Sequence, residues 1–397
     1  MHGSRDTVGS GMRKTRDWGA PVSKKMSRLA VPARSTKAAV CRAFGEPLRI
    51  EELAIRPPSA GEVLIRVLAC GICSSDIAFV EGAWGGTLPA VYGHEAAGVV
   101  EQVGPGVAGL APGDHIVATL VRSCGDCRPC RAARPALCQN PPAAEAAVLT
   151  TKDGEAVHQG MRTGAFSELA VVHSSQAVAV PADLRPDSAC LLACGVITGV
   201  GAVVHTAAVE PGSTVAVLGV GGVGLNCVQG ATIAGAAHVI AVDVVARKLD
   251  VAAVFGASAT VDSSAEAADD GVRRLTAGRG ADYVFVTAGS ASLVEEGARM
   301  TARGGTLVIV GMPRSGALVQ LDPLAISDGS LRILGSKMGD SDPRRDIPRL
   351  VKRYREGSLK LDGLVSGHFG IGRVNDAIAS AKRGEQLRPV IVFGEGG

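Results

Sequence analysis

No short repeat recurs in the 397 residues, which excludes collagen-like and coiled-coil designs, and an apolar content of 46% excludes wholesale disorder. Nor is there a general excess of charge. The formal balance of +3 divides unevenly: residues 1–36 carry eight Lys or Arg against Asp6 and Asp17, so the remaining chain stands at −3. A body of that sign has no footprint for nucleic acid. The N-terminal stretch lacks the continuous apolar core of a secretory leader. Its Gly, Ser, Pro and basic residues suggest a disordered arm, or sequence upstream of a start at Met26, in preference to a transit peptide. Uncharged runs at 188–209 and 211–242 have the length of membrane spans. Glycines break both, so no membrane span is expected.

What is present is organised in blocks, and the length favours two domains. Residues 37–193 are dense in Val, Gly and Pro, with short apolar runs such as 63–67, the texture of a β-rich domain with tight turns. Residues 194–334 read differently. Short apolar strands at 214–218, 238–242, 283–286 and 306–310 alternate with helix-length segments at 223–234, 246–255 and 292–301. That alternation predicts a doubly wound parallel sheet, hence an α/β chain. After Gly335 a helix at 347–356 and a strand at 389–393 are expected to return to the first domain.

Three motifs carry chemistry. Gly219-Val220-Gly221-Gly222-Val223-Gly224 follows a predicted strand and opens a helix, as a dinucleotide fingerprint does. Gly219 permits the turn, Gly221 lets backbone approach a pyrophosphate, and Gly224 lets helix and strand pack closely. Asp243 ends the next strand, 19 residues after Gly224, where an acid can bind ribose hydroxyls. Asp243 favours NAD, while Arg247 and Lys248 leave NADP as the alternative. The second motif is Cys124-x2-Cys127-x2-Cys130-x7-Cys138, read as a closed structural zinc site, with an iron–sulfur cluster as the rival. The third is dispersed over Cys73, His94 with Glu95, and Cys194. Spacing alone cannot bring these together, but a Cys2His set with one open position would suit a catalytic zinc. Cys41, Cys70, Cys190 and Cys227 fit no ligand pattern and are expected to be packed thiols.

These segments in this order, with Ala193-Cys194-Gly195 and the closing Leu387-Arg388-Pro389-Val390, resemble the zinc-containing alcohol dehydrogenases of the medium-chain dehydrogenase/reductase family over roughly residues 37–395. The resemblance implies a GroES-like catalytic domain (37–193 and 335–397) and a Rossmann cofactor domain (194–334). It implies two Zn2+ per chain, the catalytic one on Cys73, His94 and Cys194 with Glu95 close behind, and Asp76 orienting His94. Ser74, Thr198, Gly222, Val223, Lys248 and Arg388 would join the fingerprint in holding NAD. Ser75 would take the alcohol proton. The alternative reading is that Ser75 caps a helix beginning near Asp76.

The chain also departs from the family. Ala78 stands where many relatives carry a His that completes the proton relay, and Ser74 stands where His or Arg often meets a cofactor phosphate. Residues 83–86 and 139–142 lack the anchors for a large charged thiol adduct. The expected substrate is therefore a small or hydrophobic alcohol or aldehyde, with Phe79 and Trp84 as candidate pocket walls. The alternatives are an S-(hydroxymethyl) thiol adduct or a polyol. Six thiolates committed to metal imply a reducing compartment, the cytoplasm. The strand at 306–310 resembles the family's dimer-forming edge, implying a homodimer, with a tetramer as the alternative.

Overall fold

The Val- and Gly-rich first half forms two antiparallel-dominated β layers, in a computed structural model that describes residues 33–144 and 146–394. Arg34–Cys41, Arg49–Ile55, Leu149–Thr150, Ala156–Gln159 and Ala90–Val91 close a small barrel. The first of these strands begins inside the stretch expected to be a tail, because Arg34 already pairs with Ile55. Its polar, exposed start hides the strand in the sequence. The rest of the expected arm lies outside the described residues.

A seven-stranded sheet runs Ala177–Ala179, His115–Ala118, Glu95–Val103, Glu62–Gly71, Pro389–Val392 and Gly367–Gly370, with Leu169–His173 also on Glu62–Gly71. The C-terminal strand thus lies beside a strand from the first domain. Its register places Val390 opposite Gly71, and Gly71 is in turn opposite Glu95.

The second sheet is six-stranded and parallel, ordered Ala259–Asp262, His238–Asp243, Thr214–Leu218, Ala281–Val286, Thr301–Ile309 and Arg332–Gly335. Its two central strands are apolar and buried over 215–218 and 283–286 because helices cover both faces. The crossovers include Gly222–Ile233, Ala246–Val254, Ala268–Leu275 and Ala291–Met300. Chain order reverses at Thr214–Leu218, the switch point where such sheets bind ligands.

The expectation for 306–310 is corrected here. That strand is internal, paired on both sides, and the sheet's edge is Arg332–Gly335. The run 211–242 resolves into strand, glycine turn, helix and strand. The run 188–209 forms the bent pair Pro186–Ala193 and Gly195–Thr206, broken by 49°, which passes as a span only by length and composition. Among the described residues no single helix is long and apolar enough to cross a membrane. The bend falls at Cys194, and the segment around it is buried in the main core cluster.

Core position sets mutational cost. Phe285 is fully buried at the centre of the parallel sheet. Phe285→Ala is expected to destabilise the protein by about 3–5 kcal/mol. Val254→Ala, at a 64% exposed site, should stay within about 0.5 kcal/mol. Denaturant midpoints of the two variants check both.

Candidate active site

The Gly71–Glu95 register brings the ends of two strands together, and Cys73 and His94 stand just beyond those ends. The bend before Gly195 brings in Cys194. One ligand atom from each of Cys73, His94, Glu95 and Cys194 falls within 4.8 Å of the others, and all four residues are buried. A fully buried carboxylate fixes the arrangement. Asp76 accepts from the backbone N–H of Cys73 at 3.0 Å and of Gly93 at 2.9 Å, and its Oδ1 lies 3.0 Å from His94 Nδ1. His94 Nε2 therefore points into the cluster, where it has no hydrogen-bond partner although buried. An orphaned ring nitrogen facing two thiols is the chemistry of a metal ligand whose other nitrogen is held by a carboxylate.

The electrostatics agree. The interaction with Cys194 holds the Cys73 thiol well below the ordinary range, while Cys194 is pushed above it by the same neighbour and by burial. A divalent ion would replace the proton shared between them. Burial raises Glu95 to about 7, against the pull of Arg388. Glu95 Oε1 accepts from the Gly195 N–H at 3.0 Å and lies 3.3 Å from Arg388, whereas its Oε2 is buried and unpartnered.

Arg388, just before the C-terminal strand, also donates to the Ile72 carbonyl at 3.2 Å. Its guanidinium reaches the fingerprint: a Cβ on Gly222 would lie 2.6 Å from it. At Gly219 the backbone φ of +84° requires glycine, and a Cβ on Gly224 would collide with the Gly219 carbonyl. A Cβ on Gly221 would meet nothing within 4 Å, leaving that face open for a phosphate. Val223 follows in the first turn of the helix. Asp243, buried, accepts from the Val220 N–H at 2.9 Å and the Val245 N–H at 3.0 Å, with Lys248 at 3.8 Å. Arg247 donates instead to the Glu385 carbonyl at 2.6 Å. Thr198 lies in the helix after Cys194, its hydroxyl 3.6 Å from Met338 Sδ.

Ser74 and Ser75 occupy the first turn of helix Ser74–Val80, the former exposed and the latter half-buried. Cys73, not Ser75, is the residue at the helix cap, reciprocated by Asp76; Ser75 is therefore free of a capping role. Phe79 packs edge-on against Trp84 at 5.1 Å and stacks on Tyr92 at 5.7 Å. The Trp84 indole donates to the Pro313 carbonyl at 3.0 Å, spanning from the first domain to the second.

The four lobe cysteines also converge. Their sulfurs are separated by 3.4 Å (Cys127–Cys130), 3.6 Å (Cys124–Cys138), 3.9 Å (Cys127–Cys138) and 4.0 Å (Cys124–Cys130). A tetrahedron with Zn–S of about 2.3 Å has edges of about 3.8 Å. The backbone N–H of Gln139 helps hold Cys127 down to about 6, whereas burial pushes Cys130 up to about 12. Cys41, Cys70, Cys190 and Cys227 are fully buried, free thiols. The sequence reading missed Met338, whose sulfur lies 4.0 Å from Cys194 Sγ. No motif marks it, and its place follows from a left-handed turn.

Comparisons with known proteins agree with this geometry. Residues 59–182 match the family model of the alcohol dehydrogenase GroES-like domain, and residues 222–356 that of the zinc-binding dehydrogenases. An NDMA-dependent alcohol dehydrogenase of Amycolatopsis methanolica is 38% identical over 370 residues, covering 90% of this chain and 98% of its own. Among solved structures, benzyl alcohol dehydrogenase from Acinetobacter calcoaceticus superposes with a TM-score of 0.85 at 30% identity, covering 91% of this chain and all of that one. A zinc-binding dehydrogenase structure from Sinorhizobium meliloti 1021, bound to NADP, gives a TM-score of 0.77 at 30% identity, again over 91% of this chain and all of the other. With the metal-ligand cage, the glycine turn and the two-domain architecture in place, the chain belongs to the zinc-containing alcohol dehydrogenases of the medium-chain dehydrogenase/reductase family.

Proposed function

We propose that the chain is an NAD-dependent enzyme that oxidises a small or hydrophobic alcohol to the aldehyde or ketone, reversibly, with one catalytic and one structural Zn2+. The observation that carries this reading is the orphaned, buried His94 Nε2 facing Cys73, Cys194 and Glu95. The zinc would supply Lewis acidity toward the alcohol oxygen and the nicotinamide would accept the hydride. The residues do the rest. Asp76 holds His94 in the tautomer that presents Nε2. Arg388 and the helix N-terminus at Gly222 receive the pyrophosphate, Thr198 faces the nicotinamide end, and Ser75 takes the alcohol proton. With Ala78 in place of a relay histidine, that proton passes to solvent over the exposed Ser74 side of the helix.

Two local features support NAD. Asp243 opposes a phosphate on the ribose, and the nearby cations are committed, Arg247 to the Glu385 carbonyl and Lys248 to Asp243. The aromatic group Phe79, Trp84 and Tyr92 supports a hydrophobic alcohol, and the benzyl alcohol dehydrogenase relative points to an aromatic one. The reducing cytoplasm suits six metal-committed thiols. A homodimer would form at the free edge Arg332–Gly335, where Ile333 is exposed.

Turnover is measured on an alcohol panel with NAD, NADP and, given the Amycolatopsis relative, NDMA. NAD reduction by a chain holding two zincs is expected, and one zinc without turnover would overturn the reading. Cys73→Ala should abolish turnover and remove one zinc while NAD still binds. Asp243→Ala should lower the NAD-over-NADP preference in kcat/KM by about tenfold to a hundredfold, from the loss of charged hydrogen bonds to the ribose. Ile333→Glu should convert a dimer to a monomer in sedimentation velocity.

A further inference from the structure

The turn Met338–Asp340 is conformationally unusual. Met338 (φ 53°), Gly339 (φ 64°) and Asp340 (φ 50°) are consecutive left-handed residues, and two of them carry side chains. Such a run persists only where its surroundings hold it, and three elements do so. The first is the helix after Cys194. A Cβ on Gly339 would come within 2.6 Å of the Ile197 carbonyl and 2.7 Å of Gly201 Cα, and Ser341 donates to the same Ile197 carbonyl at 3.3 Å. The second is the helical turn Ala202–Ala207, whose Thr206 hydroxyl donates to Asp340 at 3.2 Å and lies 2.8 Å from the Ser336 hydroxyl. The third is the four-cysteine lobe. Arg134, between Cys130 and Cys138, donates to Asp340 at 2.9 Å. Asp340 thus ties the lobe to the turn, and Met338, two residues earlier, touches both the Cys194 sulfur and the Thr198 hydroxyl.

We infer that Met338 is a positioning residue for the catalytic metal centre, and that the Arg134–Asp340 contact makes the order of the four-cysteine lobe part of that positioning. Cys194 sits at the bend of a broken helix, and its thiol donates to Met338 Sδ at 4.0 Å. A soft thioether in contact limits where the thiolate can swing, and the same sulfur accepts from Thr198, on the side assigned to the nicotinamide. The lobe then does more than stabilise its own loop. This inference rests on the metal reading of Cys73, His94 and Cys194 given above.

The test strips zinc from the full-length, zinc-loaded chain with an excess of bidentate chelator and follows zinc remaining per chain with time. The Cys73→Ala variant, which should retain only lobe zinc, identifies the lobe phase. Asp340→Asn, Arg134→Ala and Met338→Ala are each expected to speed loss of the catalytic zinc about tenfold, the usual scale for an outer partner of a metal ligand. The lobe phase should stay as in wild type, and so should the thermal midpoint of Asp340→Asn. Unchanged catalytic-zinc release in Asp340→Asn and Met338→Ala, with both zincs in place, would overturn the inference alone. Equal acceleration of both phases would also overturn it, as general loosening. A wild-type chain whose zinc content does not change with Cys73→Ala would overturn the metal reading itself.

Discussion

The site depends on one buried cation. Arg388 is 5% exposed, and a guanidinium so placed is costly unless charge and carbonyl groups receive it. Glu95 and the Ile72 carbonyl do so, and the thiols of the metal cage lie close enough to favour its charge. Its bulk then dictates residues elsewhere. Side chains at Gly195 and Gly222 would both run into the guanidinium, so glycine opens the helix after Cys194 and the fingerprint helix alike. Gly222 belongs to the glycine turn that the sequence marks as a phosphate cradle. It is also the space that lets a cation from the catalytic domain stand behind that cradle.

The parts of this arrangement differ in how far sequence exposes them. The fingerprint, Asp243 and the four-cysteine spacing are local and were readable residue by residue, because a tight turn or a tetrahedral ion constrains neighbours in the chain. The central strands of the parallel sheet were readable because burial on both faces leaves an unbroken apolar run. The outer ones were not. Ala259–Asp262 buries only Val261, and Arg332–Gly335 buries none of its residues, so neither has the composition of a core strand. Helix Ala268–Leu275 was hidden by Gly271, a poor helix former that is there because a Cβ would come within 2.5 Å of Val261.

The ligand cage was legible only through family resemblance. Nothing in the spacing of Cys73, His94, Cys194 and Arg388 brings them together. Strand register does: Gly71 faces Glu95 on one side and Val390 on the other, so three chain segments place their functional residues at one end of one sheet. A shift of one residue in either ladder would turn those side chains to the opposite face. Asp76 secures the register chemically, since it accepts backbone N–H groups from both the Cys73 and the Gly93 segments while orienting His94.

Electrostatics close the argument for how an acidic body can hold an anionic cofactor. Residues 37–397 stand at −3, and cysteine thiolates at the two clusters would add local negative charge, so attraction for a pyrophosphate cannot come from the overall field. It must be short-range. Around the fingerprint most polar groups already have partners: the Val220 N–H faces Asp243, Arg247 a carbonyl, Lys248 the Asp243 carboxylate. What remains is the first turn of the helix at Gly222, beside an open Gly221 face, with Arg388 behind it. Because Arg388 is also held by Glu95, the group that would draw in the cofactor is continuous with the wall of the metal cage, and the two halves of the site share one charge.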